Sequence, residues 1–171
     1  MNLSPVQSLI DSLTLVIRPY FDNIPEHQQP IIVGIETGGC WIAEIIHQKL
    51  NPATALGRLN ISFYRDDFTK LGLHPTVIPS ELPADIDGKT IILIDDVLYS
   101  GRTIRAAMNE LFDYGRPNNI ILAILIDRGE RELPIQPDIV GQSISLEAGT
   151  HIKLDGPEPL SLSIRKIAED G

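Results

Sequence analysis

The stretch Ile91-Ile92-Leu93-Ile94-Asp95-Asp96-Val97-Leu98-Tyr99-Ser100-Gly101-Arg102-Thr103 constrains this chain more than any other segment. Its first four residues have the unbroken hydrophobicity of a strand buried on both faces of a parallel sheet. Two adjacent acids follow at the strand's carboxyl end, and a short loop with hydroxyls and a glycine opens a helix. Each part has a task when the ligand is a phosphorylated sugar. The carboxylates accept hydrogen bonds from two neighbouring ribose hydroxyls. The loop aims backbone N–H groups at a phosphate, reinforced by the helix N-terminus. Ser100 and Thr103 add hydroxyl donors, and Gly101 admits close backbone approach. An Asp-Asp pair alone equally suits a helix cap or a solvated edge; the full register is far more specific. The patterns G-x-x-x-x-G-K-[ST] and G-x-G-x-x-G are absent, which leaves this loop as the main candidate phosphate site.

A strand–turn–helix rhythm surrounds this run. Val6, Ile10, Leu13, Ile17 and Phe21 recur at helical spacing behind Ser4-Pro5, predicting a helix over residues 5–21 with an N-cap and a first-turn proline. Residues 31–35 predict a buried strand, Thr37-Gly38-Gly39 a turn, and residues 41–50 a helix with Ile42, Ile45, Ile46 and Leu50 inward. Trp41 is expected to pack that helix against the sheet. A strand is expected over 59–64, then a polar, proline-bearing excursion over 65–88. Residues 103–114 predict a third helix, stopped by Gly115 and Pro117. Residues 120–126 predict another buried strand, leading into Asp127-Arg128-Gly129. Residues 128–141 read as irregular, and 152–167 as short strands or loose structure. Nothing divides the chain, so one domain is expected over residues 1–171. The rhythm predicts an α/β fold: a doubly wound, mostly parallel sheet with flanking helices. Ligands of such sheets bind at the carboxyl ends of the strands, where every candidate site residue falls.

At 171 residues the chain is long enough for one substantial core. No apolar run approaches the ~20 residues of a membrane span. The N-terminus lacks the order of a signal peptide, so a cytoplasmic protein without membrane partners is expected. A lone cysteine, Cys40, supports neither an internal disulfide nor a metal cluster. His27, His47, His74 and His151 lack ligand spacing and suit packing or surface roles. The net charge of −9 excludes a diffuse positive field for nucleic acid, so an RNA site would need a local basic patch.

Beyond the signature run, three further segments carry a resemblance. They are Tyr64-Arg65-Asp66-Asp67, Gly115-Arg116-Pro117 and Asp127-Arg128-Gly129-Glu130-Arg131-Glu132-Leu133-Pro134-Ile135. Together with Ile104-Arg105-Ala106-Ala107-Met108 they resemble the PyrR family, over about residues 31–141. That family comprises pyrimidine-operon attenuation regulators that are also uracil phosphoribosyltransferases. The resemblance implies a type I phosphoribosyltransferase fold with a flap loop and a small hood. It implies uracil plus phosphoribosyl pyrophosphate (PRPP) giving UMP and pyrophosphate, with Mg²⁺ bound through PRPP and no direct protein ligands. Asp95, Asp96 and Arg128 become the catalytic candidates. Asp95, Asp96, Tyr99, Ser100, Gly101, Arg102 and Thr103 bind the ribose and its phosphate. Thr37, Gly38 and Gly39 form the pyrophosphate loop, where a strained or cis peptide fits; read alone, the segment is a plain turn.

By the same resemblance, Tyr64, Arg65, Asp66 and Asp67 begin a flap that shields the reacting centre from water. Arg128, Gly129, Arg131 and Ile135 form the uracil hood, although the charges of Glu130, Arg131 and Glu132 equally suit a surface ion-pair cluster. Tyr99 stands where some purine enzymes carry an acid, and no general base stands out. A homodimer or higher oligomer is implied. One departure is Gly38, where family members usually carry an arginine; its loss is expected to weaken PRPP binding or shift the load to other basic residues. A second reading is an RNA-binding regulator that senses UMP or UTP. Against it, residues 6–20 offer only Arg18, although Arg105, Arg116 and Arg131 remain for a patch. A catalytically weak nucleotide-binding homologue is the third.

Overall fold

The computed structural model describes residues 2–61, 78–83 and 85–167. Five strands form one sheet: Ile31–Ile35 (β1), Gly57–Leu59 (β2), Thr90–Leu98 (β3), Asn119–Asp127 (β4) and Ile139–Ser143 (β5). Their order is β2-β1-β3-β4-β5, and every neighbouring pair is parallel. Among the described residues, three helices cover the sheet: Val6–Ile17 (α1), Gly38–Leu50 (α2) and Arg102–Tyr114 (α3).

The unbroken apolar runs are explained by burial on both faces. Ile32, Ile92, Ile94, Ala123 and Leu125 join the core beneath α1 and α2. Alternate residues Ile31, Val33, Ile91, Leu93, Leu122 and Ile124 join the core beneath α3. The strand order puts the topological switch between β1 and β3. Connections leaving these two strands diverge, so a crevice opens at their carboxyl ends.

Several boundaries differ from the sequence expectation. Helix α1 stops at Ile17, and Arg18–Tyr20 is a 3₁₀ turn, because Pro19 has no N–H to continue the α-helical ladder. Pro5, not Ser4, is the N-cap residue; the Ser4 N–H donates to Gln142 Oε1 on β5 at 3.0 Å. Strand β2 lies earlier than expected, and the rest of the expected strand beyond residue 61 lies outside the described residues. Helix α2 starts at Gly38, so the expected turn is its first turn.

Edge strand β5 begins at Ile139, inside the stretch expected to be irregular, and runs two residues past its end. The C-terminal stretch is an antiparallel hairpin of Thr150–Asp155 (β6) and Ser161–Lys166 (β7). Ile152 and Leu154 fasten it to the core beneath α1 and α2. Trp41 lies beneath this hairpin: a Cβ on Gly156 would fall 3.2 Å from two of its ring carbons.

Ile92 is fully buried on β3, the middle strand. Ile92→Ala is expected to cost about 3 kcal/mol, read as a lower urea midpoint at unchanged slope.

Candidate active site

Strand β3 does not end at its acids. Its ladder with β4 continues through Asp95 opposite Ile124, Val97 opposite Ile126 and Leu98 opposite Asp127. Asp95 is buried and Asp96 half-buried. Asp95 Oδ1 accepts the Asp96 N–H at 2.9 Å, and Asp96 Oδ1 accepts the Val97 N–H at 2.9 Å. Each carboxylate is thereby tied to the backbone of the next residue.

The first turn of α2 faces them. The peptide bond between Glu36 and Thr37 is cis, as the resemblance implied for this loop. A Cβ on Gly39 would lie 2.5 Å from the Ile94 carbonyl oxygen, and one on Gly38 would lie 2.3 Å from Asp96 Oδ2. Both distances are far inside van der Waals contact. The missing side chain at position 38 is thus a condition of this packing, and an arginine on the same backbone would displace Asp96.

Between these walls lies a cleft of about 490 Å³. Glu36, Thr37, Gly38 and Trp41 line one side; Asp95, Asp96, Val97 and Thr103 line the other. Ile152, Lys153 and Leu154 of the hairpin form a third wall. Arg58 on β2 pairs with Glu44 and approaches Glu36 at 3.7 Å, offsetting the carboxylate charge at this edge. Cys40 is buried and its Sγ donates to the Gly34 carbonyl at 3.3 Å. Burial pushes its thiol pKa well above the ordinary value, which removes it as a nucleophile.

The loop after β3 is stitched to the segment after β4. Gly101 has φ +93°, a conformation that suits glycine, and its carbonyl accepts the Arg105 N–H at 3.0 Å. The Ser100 carbonyl accepts the N–H groups of Glu132 and Leu133 at 3.0 and 3.1 Å. Its hydroxyl accepts the Arg102 N–H at 3.3 Å. Arg102 Nε donates to Glu132 on the surface at 2.6 Å.

Arg131 completes the stitching. Its guanidinium donates to Asp127 Oδ2 at 2.8 Å and to the carbonyls of Ile135 (2.8 Å), Tyr99 (3.0 Å) and Gly129 (3.3 Å). It therefore braces the hood. Arg128 lies with its guanidinium 4.1 Å from the centre of the Tyr99 ring and donates to Glu130 at 3.0 Å. Its Nε is buried without a hydrogen-bond partner among the described residues. The adjacent ring face partly offsets that cost through a cation–π contact.

The structure thus brings Thr37, Gly38, Asp95, Asp96 and Thr103 to one cleft, with Gly39 packed behind it. Tyr99, Ser100, Gly101, Arg102, Arg128, Gly129 and Arg131 form an adjoining layer. Ile135 lines a separate hollow of about 360 Å³ beside α3. Tyr64, Arg65, Asp66 and Asp67 lie outside the described residues. Sequence reasoning missed Glu36, Trp41 and Lys153 as cleft residues. Glu36 adjoins the recognised turn, but nothing in the pattern around Lys153 points to a site. Of the arginines read as a possible RNA patch, Arg131 is largely buried and engaged, and Arg116 donates to the carbonyls of Phe112 and Gly115.

A parallel sheet whose acids and glycines face each other across a cleft at the strand ends is the architecture of a known enzyme domain. Residues 9–156 match the phosphoribosyl transferase domain family, to which the chain belongs. More narrowly, it falls among the PyrR proteins. It is 57% identical over 140 residues to the bifunctional protein PyrR of Pseudomonas aeruginosa, covering 82% of each chain. To that of Pseudomonas entomophila it is 48% identical over 168 residues, covering 98% and 97%. Solved structures share the fold. A hypoxanthine phosphoribosyltransferase from Staphylococcus aureus has a TM-score of 0.63 at 19% identity, covering 85% of this chain and 75% of that one. A purine phosphoribosyltransferase from Pyrococcus horikoshii has a TM-score of 0.60 at 23% identity, covering 82% of each.

Burial raises the pKa of Asp127, but the Arg131 guanidinium and the Gly129 N–H outweigh it and hold the carboxyl below its ordinary value. Its folded pKa lies below the unfolded value of about 3.9. The ion pair therefore stabilises above about pH 4, and that stability is lost as pH falls through the folded pKa. Asp127→Asn is expected to be less stable than the parent at pH 7, with the gap closing under acid. Urea midpoints from pH 7 to 2 read this out; a constant gap would contradict it.

Proposed function

We propose that this cleft transfers the 5-phosphoribosyl group of PRPP to uracil, giving UMP and pyrophosphate. The observation that carries this reading is the packing of Gly38 and Gly39 against the strand of Asp95 and Asp96, with Thr103 on the same cleft. Asp95 and Asp96 accept the ribose hydroxyls and stabilise positive charge developing at C1′. Backbone amides and hydroxyls of residues 99–103, at the start of α3, hold the 5′-phosphate. The amides of residues 37–39 receive the pyrophosphate. Residues 128–135 read the uracil edge, where a donor–acceptor mismatch disfavours cytosine. The flap role of Tyr64, Arg65, Asp66 and Asp67 rests on the family resemblance alone.

Magnesium fits this site as a passenger of the substrate. Asp95 and Asp96 are tied to backbone N–H groups, and Glu36 faces Arg58. Among the described residues no three acidic, histidine or cysteine side chains gather as a metal cage. Mg²⁺ on PRPP supplies charge neutralisation of the departing pyrophosphate. The chain's part is to orient the reactants and exclude water, and a good leaving group spares it a dedicated general base.

Family membership also brings operon regulation through RNA. With a net charge of −9 and Arg131 bonded to Asp127, catalysis is the primary reading. No helix among the described residues is long and apolar enough to cross a membrane. The family resemblance supports a cytoplasmic homodimer or larger homo-oligomer as the expected form.

The test is UMP formation from uracil, PRPP and Mg²⁺, with cytosine and hypoxanthine as controls. Turnover with uracil alone is expected, and Asp96→Asn should lower kcat about 100-fold without changing the melting temperature. Turnover of hypoxanthine, or none by folded protein, would overturn the reading. Unchanged kinetics in the variant would remove Asp96 from the mechanism.

A further inference from the structure

The segments assigned to the 5′-phosphate and to the base leave different strands: residues 99–103 follow β3, and residues 128–135 follow β4. A ligand that carries both groups gains from both only while the two segments keep a fixed spacing. The backbone supplies part of that spacing, since the Ser100 carbonyl accepts the N–H groups of Glu132 and Leu133. Gly101 adds close packing: a Cβ there would lie 3.3 Å from the Ile135 Cβ.

Arg131 reaches across the same junction with its side chain. Nε donates to the Ile135 carbonyl, Nη1 to the carbonyls of Tyr99 and Gly129, and Nη2 to the Asp127 carboxylate. These four bonds engage all three nitrogens, and the side chain is only 12% exposed. Asp127 is fixed in turn, because its Oδ1 accepts the Gly129 N–H at 2.9 Å and its backbone ends β4. One guanidinium thus ties together the end of β4, the segment that follows it and the loop after β3. To touch a ligand, it would have to break these bonds.

We propose that Arg131 is a positioning residue that makes no contact with substrate: it holds the phosphate loop and the base hood in register, so that base and 5′-phosphate are bound as parts of one ligand. The inference rests on the phosphoribosyl-transfer reading of the cleft. What the junction requires is the planar fork and not the charge, since a lysine ammonium cannot reproduce bonds from three nitrogens.

Calorimetric titration with UMP, uridine and inorganic phosphate tests this. In Arg131→Lys and Arg131→Met alike, UMP is expected to bind about tenfold more weakly, while uridine and phosphate, each filling its own part of the site, stay within about twofold of the parent. In turnover, kcat should fall by a similar factor in both variants, with KM for uracil near the parental value. Asp127→Asn keeps the arginine and loosens its anchor, so it should show the same pattern on a smaller scale. Parental UMP affinity in Arg131→Lys would overturn the assignment, because charge alone would then suffice. A loss of uridine binding equal to the loss of UMP binding would also overturn it, by making Arg131 part of base recognition itself. A parent protein that binds neither PRPP nor UMP would overturn the cleft reading instead.

Discussion

Two backbones meeting at contact distance hold the cleft together: the first turn of α2 and the carboxyl-terminal half of β3. The two glycines that allow this meeting protect different things. A side chain at position 39 would strike the Ile94 carbonyl oxygen, a main-chain atom fixed by the sheet. A side chain at position 38 would strike the Asp96 carboxylate, which can swing aside only by leaving its place in the cleft. Overpacking of this kind costs about 1–3 kcal/mol. At Gly39 that cost falls on the fold, and at Gly38 on the site.

The hood depends on a different device. The segment after β4 has few apolar anchors, and Arg131 holds it by reaching three carbonyls and one carboxylate. Arg58 bridges Glu44 on α2 and Glu36 just before it, and Arg102 pairs with Glu132. Arg58, Arg102 and Arg131 thus tie separate segments of the chain together. Among the described residues, the cleft lining holds three carboxylates and one basic residue.

What could be read from the sequence follows from how local each signal is. Strands β1, β3 and β4 were legible because both faces are buried, which makes each an unbroken apolar run. The course of the signature loop from strand to helix was legible because an apolar run gives way there to two acids, hydroxyls and a glycine. Strand β5 was not, since Ile139-Val140-Gly141-Gln142-Ser143 has little pattern of its own and forms by pairing with β4. The start of α2 was hidden because glycines are poor helix formers, and only contact with β3 calls for them. The hairpin depends on Ile152 and Leu154 reaching a core built by distant segments. Lys153 inherits that obscurity: its place on the cleft exists only once the hairpin docks. Arg131, open between hood and ion pair in sequence, donates to Asp127 and to three carbonyls that only the folded chain brings around it.

Gly38→Ala tests the central constraint most directly. PRPP binding by calorimetry in the presence of Mg²⁺, with thermal unfolding of the same samples, separates site from fold. The account predicts a folded variant whose melting temperature stays close to the parent's and whose PRPP affinity falls by about tenfold or more, because Asp96 is pushed out of position. Parental affinity in a folded Gly38→Ala protein would contradict it, showing that the meeting of α2 and β3 does not set the site.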